Sequence, residues 1–461
     1  MRKLATALPV LLFLVACTAN APHRLDPQGR ALEVRLSPGE LATPQGREKA
    51  STSALEKHDD FQLLFLESDD QGHLFSRAPL DLLIQTLLDE AARPEAPRVT
   101  IVLFAHGWQN DARLCNGNVC CFRTFLSRIA QDARMATDRS GGVIKPTKVI
   151  GIFMGWRGLS ATLPPFRALS FYARKNAAHT IGNGELVELL TFLDGYQKYV
   201  NASVPGRCRL LIMGHSFGGA IVYSAVANVL KSRIVDARVK SALTGSDEPI
   251  EGFGDLVVLA NPAFEASLYL PLHELMTRFP AFAPRQHPLL IILASETDSA
   301  TRSFFKIGRW VSTMFQRTGP RSSRSALVTT VGNYDEFLTH RARAPEESGR
   351  REFKTLLGTV TNCECQLPMS SPGVESIDRL IALLGDRRPG SGPTPEPGCA
   401  GTERFESIEL QCLSPRALPL WVIRATNEVV SGHSGFFTRP VTDLIRGLVT
   451  QTALEEPVRP Q

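Results

Sequence analysis

The sequence predicts an α/β fold in which a mostly parallel central sheet carries helices on both faces. Six short apolar segments alternate with longer amphipathic segments along the 461-residue chain. Strands buried on both faces are continuously apolar, and the amphipathic segments between them suit crossover helices. The apolar segments are 99–104, 149–154, 210–213, 256–259, 289–293 and 420–423.

Length and composition limit the number of domains and the class of protein. Single hydrophobic cores stop growing at roughly 250 to 300 residues, so we expect one large domain with insertions, or two domains. Hydrophobic residues make up 43% of the chain and charged residues 21%, which excludes wholesale disorder. The 51 Lys and Arg residues face 46 Asp and Glu residues without a basic run. We therefore expect no nucleic-acid partner.

The first seventeen residues have the pattern of an export signal. Arg2 and Lys3 precede an uncharged apolar stretch, residues 4–16, which is shorter than the ~20 residues that cross a bilayer. Residues 14–17, Leu-Val-Ala-Cys, resemble the bacterial lipobox. The resemblance implies removal of residues 1–16, lipidation of Cys17 and anchoring in the cell envelope. With Thr18 rather than Asp next, it favours the outer membrane. The alternative is an ordinary secretory signal with a chance cysteine.

The sequence divides the remainder into three parts. Residues 17–60 are polar and lack periodicity, which predicts a flexible tether. A folded domain is expected over 61–448, with a Cys-, Pro- and Gly-rich insertion at about 341–417 that includes a linker at 387–398. Residues 449–461 are expected to form a C-terminal tail.

Eight cysteines remain besides Cys17, and an exported chain meets oxidising conditions that favour disulfides. No histidine lies near Cys363 and Cys365, so a zinc site is disfavoured and we predict no metal. Cys208 begins an apolar strand and is expected to be a buried free thiol. The eight are Cys115, Cys120, Cys121, Cys208, Cys363, Cys365, Cys399 and Cys412.

Phe304, Ile307, Val311 and Met314 recur at helical spacing. Such a stripe predicts a helix that faces the core, although a lid or an acyl pocket is the alternative.

The strongest local motif is Gly214-His215-Ser216-Phe217-Gly218, which follows the apolar segment 210–213 and precedes an Ala- and Val-rich helical segment. A serine on so sharp a turn projects its hydroxyl beyond the edge of the sheet. The flanking Gly214 and Gly218 allow the close approach of strand and helix. These features predict a nucleophile elbow.

The chain contains ten histidines, and most lie in the tether, in helical stretches or inside the motifs. His433 follows the last apolar segment and precedes a new helix, as a catalytic base at the carboxyl edge should. His340 lacks such a segment before it and is the alternative base. Asp298 follows segment 289–293 and is the expected acid, with Glu296 as its substitute.

A second motif, His106-Gly107-Trp108, ends the apolar segment 99–104. Together with the elbow and the order Ser216, Asp298, His433, it resembles the α/β-hydrolases of the esterase and lipase type, from about residue 61 to 448. The resemblance implies an oxyanion hole formed by the backbone N–H groups of Trp108 and Phe217.

The resemblance also implies cleavage of carboxylic esters or thioesters, including lipids, through an acyl-serine and without a cofactor. His106 is expected to shape its loop rather than to catalyse. A noncatalytic surface lipoprotein that keeps the scaffold for binding is the alternative. A peptidase or acyltransferase would share the same acyl-enzyme.

Overall fold

The computed structural model describes residues 18–93, 96–141, 144–160, 164–278, 282–283, 286–319, 323–345, 360–361, 364–365, 402–405, 407–414 and 418–454. Its main feature is a twelve-stranded sheet with the order β1-β2-β3-β5-β4-β6-β7-β8-β14-β9-β13-β12, and β10 and β11 form a separate pair. The strands are β1 Leu32–Arg35, β2 Ser53–Lys57, β3 Phe61–Ser68, β4 Arg98–Ala105, β5 Thr147–Trp156, β6 Cys208–His215, β7 Leu256–Ala260, β8 Leu290–Ser295, β9 His340–Arg343, β10 Val360–Thr361, β11 Glu364–Cys365, β12 Thr402–Phe405, β13 Ile408–Cys412 and β14 Leu420–Ala425.

The central part of the sheet, from β3 to β14 and on to β9, is parallel throughout, and the pairs β2–β3, β9–β13 and β13–β12 are antiparallel. All six predicted apolar segments are strands of this parallel part. The predicted α/β fold class is therefore confirmed.

Helices connect the strands and cover both faces, each of which has its own large hydrophobic cluster. None of the described helices is long and apolar enough to span a membrane. The helices are α1 Pro44–Ser51, α2 Ala78–Ala91, α3 Gly117–Arg139, α4 Pro164–Gly182, α5 Leu186–Ser203, α6 Phe217–Thr244, α7 Ala266–Thr277, α8 Phe305–Ser312, α9 Arg324–Val328 and α10 Arg439–Leu454, and a π-helical turn, Ala300–Phe304, leads into α8.

The expectation of a flexible tether up to residue 60 is wrong for residues 18–60, because β1, α1 and β2 lie there and extend the sheet. The Arg24 side chain is fully buried, stacks on the Phe65 ring at 3.8 Å and pairs with Glu56 at 3.1 Å. Arg123 holds the same carboxylate at 2.7 Å. The segment is polar in composition, but its charges are paired inside the fold.

Two further expectations are corrected. The stripe Phe304, Ile307, Val311 and Met314 does not face the core, since these side chains are 71%, 64%, 56% and 52% exposed. The C-terminal tail begins later than residue 449, because α10 continues to Leu454.

Several expectations concern residues outside the described ranges. The signal segment 1–16, Cys17, the linker 387–398 and most of the insertion 341–417 fall there. Strands β10 to β13, and β9 except for its first residue, are described parts of that insertion. Cys208 is a buried free thiol, as predicted, and so is Cys120. Cys115, Cys121 and Cys412 are disulfide-bonded.

Candidate active site

Ser216 occupies the sharp turn between β6 and α6. Its φ of 56° and ψ of −120° lie in a region of backbone conformation that residues other than glycine rarely adopt. Tight packing holds the turn, because a Cβ on Gly218 would lie 2.0 Å from the carbonyl oxygen of Ala105, and one on Gly214 would lie 2.5 Å from that of Gly218. The two glycines are thus required by close backbone approach, and the strained geometry of a nucleophile elbow is present.

Three predicted side chains form a continuous hydrogen-bonded chain at this turn. Ser216 Oγ lies 2.9 Å from His433 Nε2, and His433 Nδ1 lies 2.8 Å from Asp298 Oδ2. Because the carboxylate accepts the Nδ1 proton, Nε2 is left to accept the proton of the serine hydroxyl. The arrangement matches a nucleophile, a base and an acid that orients the base.

Asp298 is completely buried and its carboxylate accepts four hydrogen bonds. Oδ1 accepts from the backbone N–H groups of Ala300 and Thr301, and Oδ2 accepts from Thr301 Oγ1 at 2.6 Å as well as from His433. Burial alone would raise the pKa of Asp298, but the hydrogen bond and charge of His433 and the donors of Thr301 hold the pKa below its ordinary value. The carboxylate is therefore kept ionised beside the imidazole.

The backbone around His433 is fixed by two polar side chains. His215 Nε2 donates to the carbonyl oxygen of His433 at 2.7 Å, and Asn261 Nδ2 donates to the same oxygen at 2.8 Å. Asn261 Oδ1 in turn accepts the N–H of Ser295, at the end of β8. Asn261 thereby ties the loop after β7 to the loops that carry the acid and the base.

Asn261 and Thr301 were not predicted as site residues from the sequence. Asn261 comes directly after β7, two positions beyond the apolar segment 256–259, and has a φ of 44°. A polar residue at the carboxyl end of a buried strand was the available signal.

The loop after β4 approaches the serine closely. A Cβ on Gly107 would lie only 2.7 Å from Ser216 Cβ, so no side chain fits there. Within the described ranges, the N–H groups of Trp108 and Phe217 have no acceptor in the protein, whereas the neighbouring Gln109 N–H donates to Gly158 O. Two free donors beside the nucleophile are what an oxyanion hole requires.

The histidines inside the two motifs have structural surroundings. His106 Nε2 accepts the N–H of Trp156 while its Nδ1 faces the Gly107 carbonyl oxygen. Burial lowers the pKa of His106 to about 4 and that of His215 to about 3. Both rings are therefore neutral, and neither makes a hydrogen bond to Ser216.

The two alternative residues lie elsewhere. His340 begins β9, packs on the Trp421 ring at 4.4 Å and pairs with Thr339 Oγ1 at 2.8 Å. Glu296 lies 3.7 Å from Arg341 near the surface. Neither is joined to the hydrogen-bonded chain that contains Ser216.

Aromatic side chains pack together next to the turn that carries the serine. The Phe171 ring, on α4, lies 4.8 Å from that of Phe217, 5.4 Å from that of Trp108 and 6.1 Å from that of Phe305. The cluster contains Phe217, which follows Ser216 in the chain, so the turn that carries the serine adjoins a group of packed aromatic side chains.

No family model and no curated protein matches the sequence. Among solved structures, the phospholipase PlaB from Legionella pneumophila is similar over 54% of this chain and 47% of its own, with 13% identity and a TM-score of 0.24, in a complex with thio-NAD. A second structure of it gives 12% identity, a TM-score of 0.23 and coverage of 55% and 48%. An inhibited esterase B from Lactobacillus rhamnosis is similar over 52% of this chain and 65% of its own, with 16% identity and a TM-score of 0.19. The chain thus spans about half the length of PlaB, and likenesses this low carry no argument about activity.

Proposed function

We propose that this protein is a serine hydrolase that cleaves carboxylic esters or thioesters through an acyl-serine intermediate. The observation that carries the proposal is the hydrogen-bonded chain from Ser216 through His433 to the buried Asp298. The pentapeptide alone could occur by chance. A base and an acid that come from two distant parts of the chain and lie at hydrogen-bonding distance from the serine and from each other are not expected by chance.

Each group has a role in the proposed reaction. Ser216 Oγ attacks the carbonyl carbon while His433 Nε2 takes the hydroxyl proton. The negative charge that develops on the carbonyl oxygen is stabilised by the N–H groups of Trp108 and Phe217. His433 then gives its proton to the leaving alcohol or thiol. Water, activated by His433 in the same way, releases the acid and restores Ser216.

Asp298 supports these steps without exchanging a proton itself. Its carboxylate keeps the His433 proton on Nδ1 and stabilises the imidazolium that forms when Nε2 takes the second proton. The strained Ser216 backbone, held by Gly214 and Gly218, keeps Oγ at the position of attack.

Labelling with a fluorophosphonate probe tests the proposal, because the probe phosphonylates only an activated serine. We expect stoichiometric labelling of the native protein and none of Ser216→Ala. Equal labelling of both proteins, or of neither, would contradict the proposed mechanism. Hydrolysis of a short p-nitrophenyl ester by the same two proteins gives the independent readout.

We further propose that the chain is exported and anchored in the bacterial envelope by lipid on Cys17. The basic start, the short apolar stretch and the lipobox-like residues 14–17 support this. Cys17→Ala should move the protein from the membrane fraction to the soluble fraction and abolish incorporation of labelled fatty acid. Fatty-acid labelling that persists in Cys17→Ala would contradict the assignment.

A further inference from the structure

The segment that follows the catalytic acid has its apolar side on the outside. Sixteen large hydrophobic side chains are exposed among the described residues, and six of them lie within twelve consecutive positions. Single exposed hydrophobics are ordinary, but a contiguous group marks an interaction surface. The six, which we call the outer face, are Phe304, Ile307, Trp310, Val311, Met314 and Phe315.

The inner side of α8 packs closely against the protein, so the exposure of the outer face does not result from poor packing of the helix. Phe305 is completely buried, and Gly308 packs so closely on Tyr172 of α4 that a Cβ would overlap its hydroxyl. Arg309 pairs at 2.5 Å with the buried Glu265, which Lys175 of α4 also holds at 2.8 Å. A packed, paired inner side fixes the orientation, and the apolar side must point to solvent or to a partner.

The charged residues within the segment that carries the outer face are all basic. Residues 300–319 contain Arg302, Lys306, Arg309 and Arg317 and no Asp or Glu. Arg302, Lys306 and Arg317 are exposed. An amphipathic segment with aromatic and aliphatic residues on one side and basic residues beside them is typical of helices that lie in the interface of an anionic bilayer.

The outer face borders a cavity that reaches the loop of the candidate acid, Asp298. A cavity of about 620 Å³ is lined on one side by residues 296–299, including Asp298, and on the other by Arg302, Ser303, Lys306 and Ile307. Phe305, on the inner side of α8, belongs to the aromatic cluster beside Ser216. A surface bound at the outer face therefore lies next to this cavity and to the loop that carries Asp298.

The start of the described chain lies at the same edge of the sheet. Thr18 N donates to Ser160 O, and Arg157 donates to Thr18 O, both at 3.0 Å. The loop 157–160 follows β5 and is hydrogen-bonded to the loop that carries Trp108. Thr18 thus lies at the carboxyl edge of the strands, on the same side of the sheet as the candidate active site.

We propose that the outer face docks on an anionic phospholipid bilayer and presents the active site to lipid substrates. Phe304, Trp310 and their apolar neighbours enter the acyl boundary, and Arg302, Lys306 and Arg317 contact phosphate groups. This inference rests on the proposed hydrolase function and identifies the bilayer as the surface on which the enzyme meets its substrate.

The first test is fluorescence quenching, which needs no catalysis. Full-length Ser216→Ala protein is mixed with vesicles of phosphatidylglycerol and phosphatidylcholine whose acyl chains carry bromine. Trp310 is 57% exposed, whereas Trp156 is buried and Trp108 and Trp421 are half-buried, so we expect strong quenching, most of which Trp310→Phe removes. Vesicles of phosphatidylcholine alone should quench at least about threefold less, since each basic residue near an anionic surface adds roughly fivefold in affinity.

The second test compares activity on vesicles with activity on a short soluble ester. The variant Val311→Ser/Met314→Ser/Phe315→Ser should lose at least about tenfold more activity on vesicles than on the soluble ester. The matched control is Leu243→Ser, an 82% exposed leucine on α6 outside the outer face, for which both losses should be equal.

The outcomes separate this inference from the proposed function. Quenching that is unchanged in Trp310→Phe, or equal losses on both substrates in the triple variant, would overturn bilayer docking. A concentration-dependent dimer that the triple variant abolishes, without vesicle quenching, would assign the outer face to a second copy of the chain and also overturn it. Failure of fluorophosphonate labelling would overturn the hydrolase function while leaving the quenching result valid.

Discussion

Replacing Asp298 by asparagine should invert the proton arrangement of the candidate site. The asparagine oxygen must face the backbone N–H groups of Ala300 and Thr301, because the NH2 group placed there would oppose two fixed donors. The NH2 group then takes the position of Oδ2, facing His433 Nδ1 and Thr301 Oγ1. Nδ1 becomes an acceptor, its proton moves to Nε2, and Nε2 can no longer accept the proton of Ser216.

The expected loss in kcat is about four orders of magnitude, which corresponds to a barrier higher by about 5 kcal/mol. Initial rates on a short p-nitrophenyl ester measure it, and unchanged circular dichroism would show that the fold is intact. Glu296→Gln is the matched control, since Glu296 lies near the surface in the same loop, and its kcat should stay within about threefold of the parent. A nearly inactive Glu296→Gln beside an active Asp298→Asn would refute the reasoning.

Three further predictions follow from packing and burial. Gly107→Ala should lower kcat by roughly 10² or more, because its Cβ would lie 2.7 Å from Ser216 Cβ and displace the loop that supplies an oxyanion donor; an unchanged rate would contradict this assignment. Arg24→Ala should lower the free energy of unfolding by about 3 kcal/mol, since it removes one partner of the buried Glu56; a loss below about 0.5 kcal/mol in urea unfolding would mean that residues 18–60 are not part of the fold. Burial raises the pKa of Glu67 to about 7 from an ordinary 4.5, so the folded protein binds the extra proton and stability falls as pH rises from 4.5 to 7. Glu67→Gln should therefore raise Tm relative to the parent more at pH 8 than at pH 5, and an equal difference at both pH values would contradict the buried protonated state.

The sequence predicted those parts of the molecule whose signal is local. A strand buried on both faces must be continuously apolar, so the strands β4 to β8 and β14 could each be predicted from an apolar segment of the sequence. The elbow was visible because a turn this tight admits only small residues at Gly214 and Gly218. The two candidate bases could be ranked because His433 lies in the loop between the last apolar segment and a new helix, whereas no apolar segment comes just before His340.

The parts that the sequence did not predict depend on distant partners. Polar composition made residues 17–60 resemble a tether, but the charge of Arg24 is compensated by Glu56, and neither partner can be identified from its own neighbours. The spacing of the apolar residues in 304–314 predicted a helix, but it did not show whether the apolar side of that helix faces the core or the solvent. Whether an apolar side points inward depends on the opposite side, and here that side carries Arg309, which Glu265 holds inside the protein.

The long interval between Asp298 and His433 is explained by the topology of the sheet. The two residues are 135 positions apart, yet β8 and β14 are adjacent parallel strands paired from Leu290 with Leu420 to Ser295 with Ala425. Strands β9, β13 and β12 continue the sheet beyond β14, so this part of the inserted chain lengthens the sheet at its edge and does not separate β8 from β14. The acid and the base leave neighbouring strand ends, and their distance is fixed by strand pairing rather than by the length of the chain between them. Insertions at this edge can therefore vary in length while the geometry of the candidate triad is kept.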